Sequence, residues 1–275
     1  MFSGTQLTNH SGNLIGTHQN VDKVARDNLL ELGVSLDSFP SKRLILRFEG
    51  RNGPDGIKTK SPAQNEPWHY IDPFNPEDRQ LLDIILSHST SLTHALKKSD
   101  EISAAFHAAW LAHAIVDGLT PAHHFPYEEE LERLTGSGIE DRTTYSKKLI
   151  MPGETISKKL KNNWDMWGTY GLLSRHQVFE TGVTFMLAPL KMKTSIPSKT
   201  DLAKVVDLGV EHYFLRAMKQ IAILEMYERF YEKGWSHKLV REVRNELGPA
   251  MVRTVSAIWY YCYQESKNEN NSRRI

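Results

Sequence analysis

Residues 110–124 read WLAHAIVDGLTPAHH, and within them His113, Asp117 and His123 are spaced H-x3-D-x5-H. His113 and Asp117 are four apart, so on a helix they share one face about one turn from each other and can both reach one cation. Gly118 and Pro121 are placed to stop that helix and fold the chain back, which carries His123 toward the same point. Two imidazoles and a carboxylate form a borderline-soft donor set suited to zinc. Upstream, Ile102, Phe106, Ala109, His113 and Asp117 fall on one stripe, so the metal pair faces the core.

Outward from this stretch the apolar pattern is helical nearly throughout. His18, Val21, Ala25, Leu29 and Leu32 recur at three- and four-residue steps with Gly33 as a stop, which predicts an amphipathic helix with His18 in its first turn, pointing inward. Gly50 to Pro76 is rich in Gly, Pro, Asn and Asp and reads as a long ordered loop, a kind of segment that carries function in compact domains. Asn75-Pro76 is read as the start of a helix with Leu81, Leu82, Ile85, Leu92 and Leu96 inside, and Ser99 as the cap of the next. A helix over Arg175 to Leu187 carries His176 and Glu180, again four apart. Two long helices follow, over 201–233 and 236–264, the second expected to break or kink at Gly248-Pro249. No alternating apolar run argues for a sheet and no internal repeat is present, so the fold class is all-α: a compact multi-helix single domain over residues 1–275.

Composition narrows the function. With 275 residues and 40% hydrophobic content the chain can bury a sizeable core. Lys plus Arg number 34 against 33 for Asp plus Glu, so the net charge gives no global argument for a nucleic-acid partner. The single Cys262 excludes an intramolecular disulfide and cysteine-rich zinc motifs, leaving His and carboxylates to hold any metal. The opening MFSGTQLTNHSGNLIG shows neither a signal-peptide pattern nor a membrane anchor, so no integral membrane segment is expected, and the compartment stays open between cytosol and secretion. Taken alone, His18 reads as a core histidine and Asp55 in PDG as a turn residue. Two inward His/carboxylate pairs, however, would bury charge without partners unless a cation neutralises it. His124 competes in register with His123, but the x5 spacing favours His123, while His88, His94, His107, His212 and His237 lack ligand-like companions.

With these candidates in hand, the chain resembles the zinc-dependent phospholipase C and single-strand-specific zinc nuclease superfamily. The matching positions are His18, Asp55, His69, His113, Asp117, His123, His176 and Glu180, in the family's order, supported by WHYIDP around His69 and by the ending GPAMVRTVSAIWYYCYQ. The resemblance implies an all-α fold with a trinuclear-type zinc cleft holding two to three Zn2+. It implies that Asp55, His69 and His113 hold one ion, with Asp117 bridging to a third near His18, and that His123, His176 and Glu180 hold the second. Asp55 would also serve catalysis. Adjacent divalent cations neutralise a phosphodiester's charge and lower the pKa of a water to roughly 7, which supplies the nucleophile without a covalent step.

The chain departs from the family pattern in two places. The family's third ion also takes the amino group of an N-terminal Trp, whereas this chain starts Met-Phe well upstream of His18, so that ion should be the weakest held, with His10 as a substitute ligand. The 52 residues between His123 and His176 are longer than in family members and hold Tyr145, Lys147, Lys148, Lys158, Lys159, Lys161, Trp164, Trp167 and Tyr170. This insertion, at about 128–174, reads either as a substrate-selecting element that stacks bases or meets lipid headgroups, or as an extra helix packed by its aromatics and solvated by its lysines, the second being favoured for individual residues. Glu180 in H-x3-E and the thirteen residues between Asp55 and His69 lean toward the phospholipase C branch. The expectation is a monomeric zinc phosphodiesterase whose substrate is a phospholipid headgroup sooner than a nucleic acid. The alternatives are a single-strand nuclease and a non-catalytic protein stabilised by its metals.

Overall fold

The periodic run that begins at His18 folds as α1 (Thr17–Glu31), with Val21, Ala25 and Leu29 fully buried and Gly33 turning the chain at φ 84°. These features belong to a computed structural model that describes residues 16–188 and 195–268. Arg26, buried under the turn after α1, donates to the carbonyls of Leu36, Phe39 and Pro40 and so fixes the chain's exit. Short helices α2 (Lys42–Ile45) and α3 (Pro54–Lys58) follow. The segment from Gly50 to Pro76, expected as loop, thus contains α3 and two single 3-10 turns, at Gly50–Asn52 and Ala63–Asn65.

The centre of the molecule is a helical hairpin, α4 (Gln80–Lys97) and α5 (Glu101–Leu119). Ala104, Ala105, Ala108, Ala109 and Ala112 are buried along α5, and side chains this small let α4, α1 and the last helix come close on different sides. Then come α6 (Tyr127–Thr135), α7 (Tyr145–Leu149), α8 (Ile156–Trp167) and α9 (Leu172–Leu187). The chain closes with α10 (Lys199–Ala222), α11 (Met226–Lys233), α12 (His237–Glu242) and α13 (Gly248–Lys267). No strand occurs among the described residues. Helix α13 packs on α1, α4, α5 and α10, and its buried Trp259 donates from Nε1 to the Ala108 carbonyl at 3.2 Å. Helix α5 is the one helix of the described residues long and apolar enough to cross a membrane, but 72% of that window is buried in the core.

Several helix boundaries differ from expectation. Helix α4 begins at Gln80, because the Asp72 and Asn75 side chains accept from the backbone N–H groups of Phe74 and Glu77 and hold 72–79 in turns. Asp100, not Ser99, caps α5 by accepting from Ser103 N at 3.0 Å, while Ser99 makes the hairpin turn at φ 55°. Helix α5 does end within a few positions, at Leu119 ahead of Pro121, as the Gly118/Pro121 pair predicts. A Cβ at Gly118 would meet the Phe214 ring of α10 at 2.5 Å, so glycine also permits that approach. The expected helix over 201–233 is two, parted at Glu225 (φ 48°), with α10 itself kinked at Gly209 (φ 74°). Before Pro249 one π-helical turn, Val243–Leu247, absorbs the lost hydrogen bond and the helix continues.

Candidate metal centre

Two triads face the interior, each with one donor atom per residue and all three atoms within 4.8 Å of one another: His18, His113 and Asp117, and His123, His176 and Glu180. Either can hold a metal ion. Asp117 lies between them. Its Oδ1 is 3.4 Å from His18 Nε2 and 3.5 Å from His123 Nδ1, and its Oδ2 is 3.3 Å from His113 Nε2.

The second triad forms because α5 ends beside it. Thr120 leaves the helix, Pro121–His123 makes one 3-10 turn, and His123 Nδ1 donates back to the Asp117 carbonyl at 3.0 Å. Burial pushes the His123 imidazole down to about 4, against the pull of Asp117 and Glu180, so at neutral pH its Nε2 carries a lone pair. That lone pair faces Glu180 Oε1 at 2.9 Å, and the same oxygen is 3.0 Å from His176 Nε2 on α9. With Nδ1 carrying the ring proton, two acceptors meet there, an arrangement that a cation would relieve and that fits these residues to a metal ion. The buried Thr17 and Thr184 hydroxyls, 2.8 Å apart, tie α9 to α1 and so set the second triad against His18 of the first.

In the first triad the His18 and His113 rings stack 3.7 Å apart and 1° from parallel. His113 Nδ1 is 3.2 Å from Glu49 Oε2, a carboxylate fully closed to solvent. A carboxylate placed there can orient the imidazole for a metal ion. Burial lowers the His113 imidazole, but Glu49 and Asp117 outweigh it and hold it well above its ordinary value. Asp22, one turn beyond His18, is buried with both oxygens lacking hydrogen-bond partners among the described residues. Burial, reinforced by Glu49, pushes its carboxyl well above the usual range.

Asp55 and His69 sit at the edge of the first triad. Asp55 Oδ1 is 3.7 Å from His113 Nε2, and although burial raises its carboxyl, His113 and His18 bring it below its ordinary value, so it is ionised at neutral pH. His69 is turned by donation from Nδ1 to the Pro67 carbonyl at 3.2 Å, and its Nε2 accepts from Lys58 Nζ at 2.7 Å. The structure thus groups His113 with His18, and His69 joins an ion only if Lys58 moves aside. His124 donates to the Gly118 carbonyl, which leaves His123 as the ligand candidate of the pair. His88 and His107 face one another at 3.0 Å, apart from both triads. Buried Cys262, its thiol pushed up to about 12 by burial, is a core residue. His10 lies outside the described residues.

Sequence reasoning missed Lys58, Glu49 and Asp22. Asp22 is visible afterwards as a third H-x3-acid pair with His18, whereas Lys58 and Glu49 depend on how 45–70 folds. Two cavities open on the centre, of about 360 Å³ and 450 Å³, and both are lined by Asp55, Lys58, Glu66, His69 and Asp117. The smaller is walled by Trp68 and Trp110, whose buried indole N–H groups find no acceptor among the described residues. The larger reaches past Tyr70 and Tyr127 to Arg142, Lys148 and Trp167. Set against protein-family models, curated proteins and solved structures, the chain finds no match, so its function must be read from this centre alone.

Proposed function

We propose that this chain is a zinc-dependent phosphoric ester hydrolase of the phospholipase C type, cleaving a phosphodiester with water. The observation that carries the reading is the pair of buried triads, joined where Asp117 of the first approaches His123 of the second, opening on a cleft that also holds the Asp55 carboxylate and Lys58. His18, His113 and Asp117 would hold one ion and His123, His176 and Glu180 another, with Asp55 and His69 as further ligands of the first. Divalent ions there supply charge neutralisation for the phosphoryl oxygens and acidify water.

The chain's own residues do the rest. Asp55, ionised and beside His113, accepts the proton of the attacking water. Lys58 shares the cleft floor and pairs with a phosphate oxygen once it leaves His69. Glu49 holds the His113 ring in place through Nδ1. A phosphodiester has two arms, and the two cavities meet at Asp55 and Lys58 from different sides. The arm beside Trp68 and Trp110 must offer acceptors to two indole N–H groups, as glycerol ester oxygens do. A nucleobase stacked on those indoles would do so too, which favours single-strand nuclease as the second reading.

The test is metal analysis of the purified protein, with turnover of a nitrophenyl phosphocholine, bis-nitrophenyl phosphate, phospholipid and single-stranded DNA. The proposal expects two or more zinc ions per chain and phospholipid turnover above that of DNA at equal phosphate. Fewer than one ion per chain refutes it. DNA cleavage without lipid hydrolysis makes the protein a nuclease, and full metal content with no turnover makes the ions structural.

A further inference from the structure

Helix α8 is amphipathic, and the molecule packs its polar side. Asn162 is fully buried and donates to the Pro152 and Thr135 carbonyls at 2.6 and 3.4 Å, while Asn163 exchanges hydrogen bonds with the Met151 backbone at 2.9 and 3.0 Å. Met166 is the buried apolar residue of α8. Ile156, Leu160 and Trp164, at successive four-residue steps on another side, are 82%, 68% and 68% exposed. Of the insertion's aromatics, Trp164 and Tyr170, the latter 78% exposed, therefore do not pack it. Between Thr143 and Asn163 the sequence carries five lysines, Lys147, Lys148, Lys158, Lys159 and Lys161, against the one acid Glu154. Lys148 is paired with Glu66 and Lys161 with Asp165, whereas Lys158 and Lys159 meet no carboxylate among the described residues.

The stripe stands at the edge of the candidate metal centre. Trp167, at the end of α8, lines the larger cavity together with Tyr145, Lys148 and Leu149 of α7, and donates from Nε1 to the Leu149 carbonyl at 2.8 Å, which locks the two helices together. We propose that α8 is an interfacial helix that seats the protein on an anionic phospholipid surface, with Ile156, Leu160 and Trp164 in the acyl boundary and Lys158 and Lys159 against the headgroups. As an account of where substrate is met, this rests on the phosphodiesterase reading above. As an account of binding it does not need the metals.

Charge chooses the occupant. A second copy of this stripe would bring Lys158 and Lys159 against their own kind, while an anionic bilayer attracts them, and Trp and Tyr are the side chains that settle at headgroup depth. The attraction should weaken with salt because exposed charges are screened within about 10 Å at 0.1 M.

The test uses the full chain, as purified and after chelation, sedimented with vesicles of phosphatidylcholine alone or with phosphatidylglycerol added. The proposal expects at least tenfold stronger retention by the anionic vesicles, with or without chelation, reduced by salt. It expects at least a tenfold loss in the triple variant Ile156→Ser, Leu160→Ser, Trp164→Ser, whose melting and soluble-ester turnover match wild type, and a similar loss in Lys158→Glu, Lys159→Glu. No vesicle binding, or binding unchanged in both variants, overturns it. So does a dimer in free solution that the triple variant dissolves, which would assign the stripe to a second copy. Vesicle binding without turnover of any phosphodiester sinks the function proposed above and leaves this inference standing, while soluble-ester turnover without vesicle binding does the reverse.

Discussion

On α5 the residues at three- and four-residue steps, Ala105, Ala109, Ala112 and Val116, are closed to solvent, whereas on α8 the corresponding Ile156, Leu160 and Trp164 stand open. Both stripes have helical spacing. The alanines of α5 let neighbouring backbones close in on several sides, and that depth leaves His113 and Asp117 dependent on one another and on Glu49. Helix α8 is held from its other side by asparagine hydrogen bonds to loop carbonyls and by Met166 in a small apolar cluster with Leu131 and Met151. Spacing alone thus fixes a helix's apolar side but not whether that side meets protein. The consequence is an asymmetry of sensitivity, with polar changes on α5 expected to be severe and apolar changes on α8 mild.

The largest effect should come from Asp117→Asn, which removes the charge placed between both triads. Loss of several kcal/mol of charge stabilisation corresponds to a fall in kcat/KM of about a thousandfold or more. Metal content should fall by at least one ion, and more than in Glu180→Gln, because Asp117 of the first triad also stands 3.5 Å from His123 of the second, whereas Glu180 faces the second alone. A full complement of metal with activity within tenfold of wild type would remove Asp117 from the centre.

Next in size is the pH response of chelated protein. The His123 and His124 imidazoles are pushed down to about 4, chiefly by burial, so each stays neutral in the fold where an unfolded histidine takes up a proton. Stability is therefore lost as pH falls from about 6.5 toward 4, by up to about 1.4 kcal/mol per pH unit for each such histidine. His113 acts with the opposite sign. Held high by Glu49 and Asp117 against burial, it contributes stability below pH 6.5 that is lost as pH rises through its folded value. Urea melts should peak near neutrality for chelated protein and broaden with zinc present; a flat profile would mean that these imidazoles are solvated.

Glu49→Gln should weaken metal by about ten- to a hundredfold, the usual cost of losing an outer-layer partner, read by competition with a chelating dye. The amide keeps the shape and removes the charge that faces His113 Nδ1. If metal affinity stays within twofold, Glu49 serves packing and not the metal.

The pairing of candidate donors within each triad was legible because H-x3-D and H-x3-E each place two of them on one helical turn, so a local pattern fixes a local geometry. Glu49 and Lys58 were not. Glu49 meets His113 across 64 positions, and Lys58 reaches His69 only because α3 and the turns after it fold as they do. The all-α fold followed from periodicity, while helix ends followed from side-chain bonds such as Asp100 to Ser103 that one-residue shifts in a cap conceal. For α8 the pattern was legible and its orientation was not, since apolar spacing does not report hydrogen bonds made by Asn162 and Asn163.

The smallest effect separates the two helices most directly. Leu160→Ser, at an exposed position on α8, should change unfolding free energy by no more than about 0.5 kcal/mol, as surface substitutions do. Leu111→Ala, fully buried on α5, should cost about 2–5 kcal/mol, because a cavity is left in close-packed surroundings. At this chain length 1 kcal/mol moves the melting temperature by roughly 2–4 °C, so calorimetry resolves the second change and barely registers the first. A Leu160→Ser variant that melts several degrees lower would mean that the stripe is covered in solution, and would place α8 in the same class as α5.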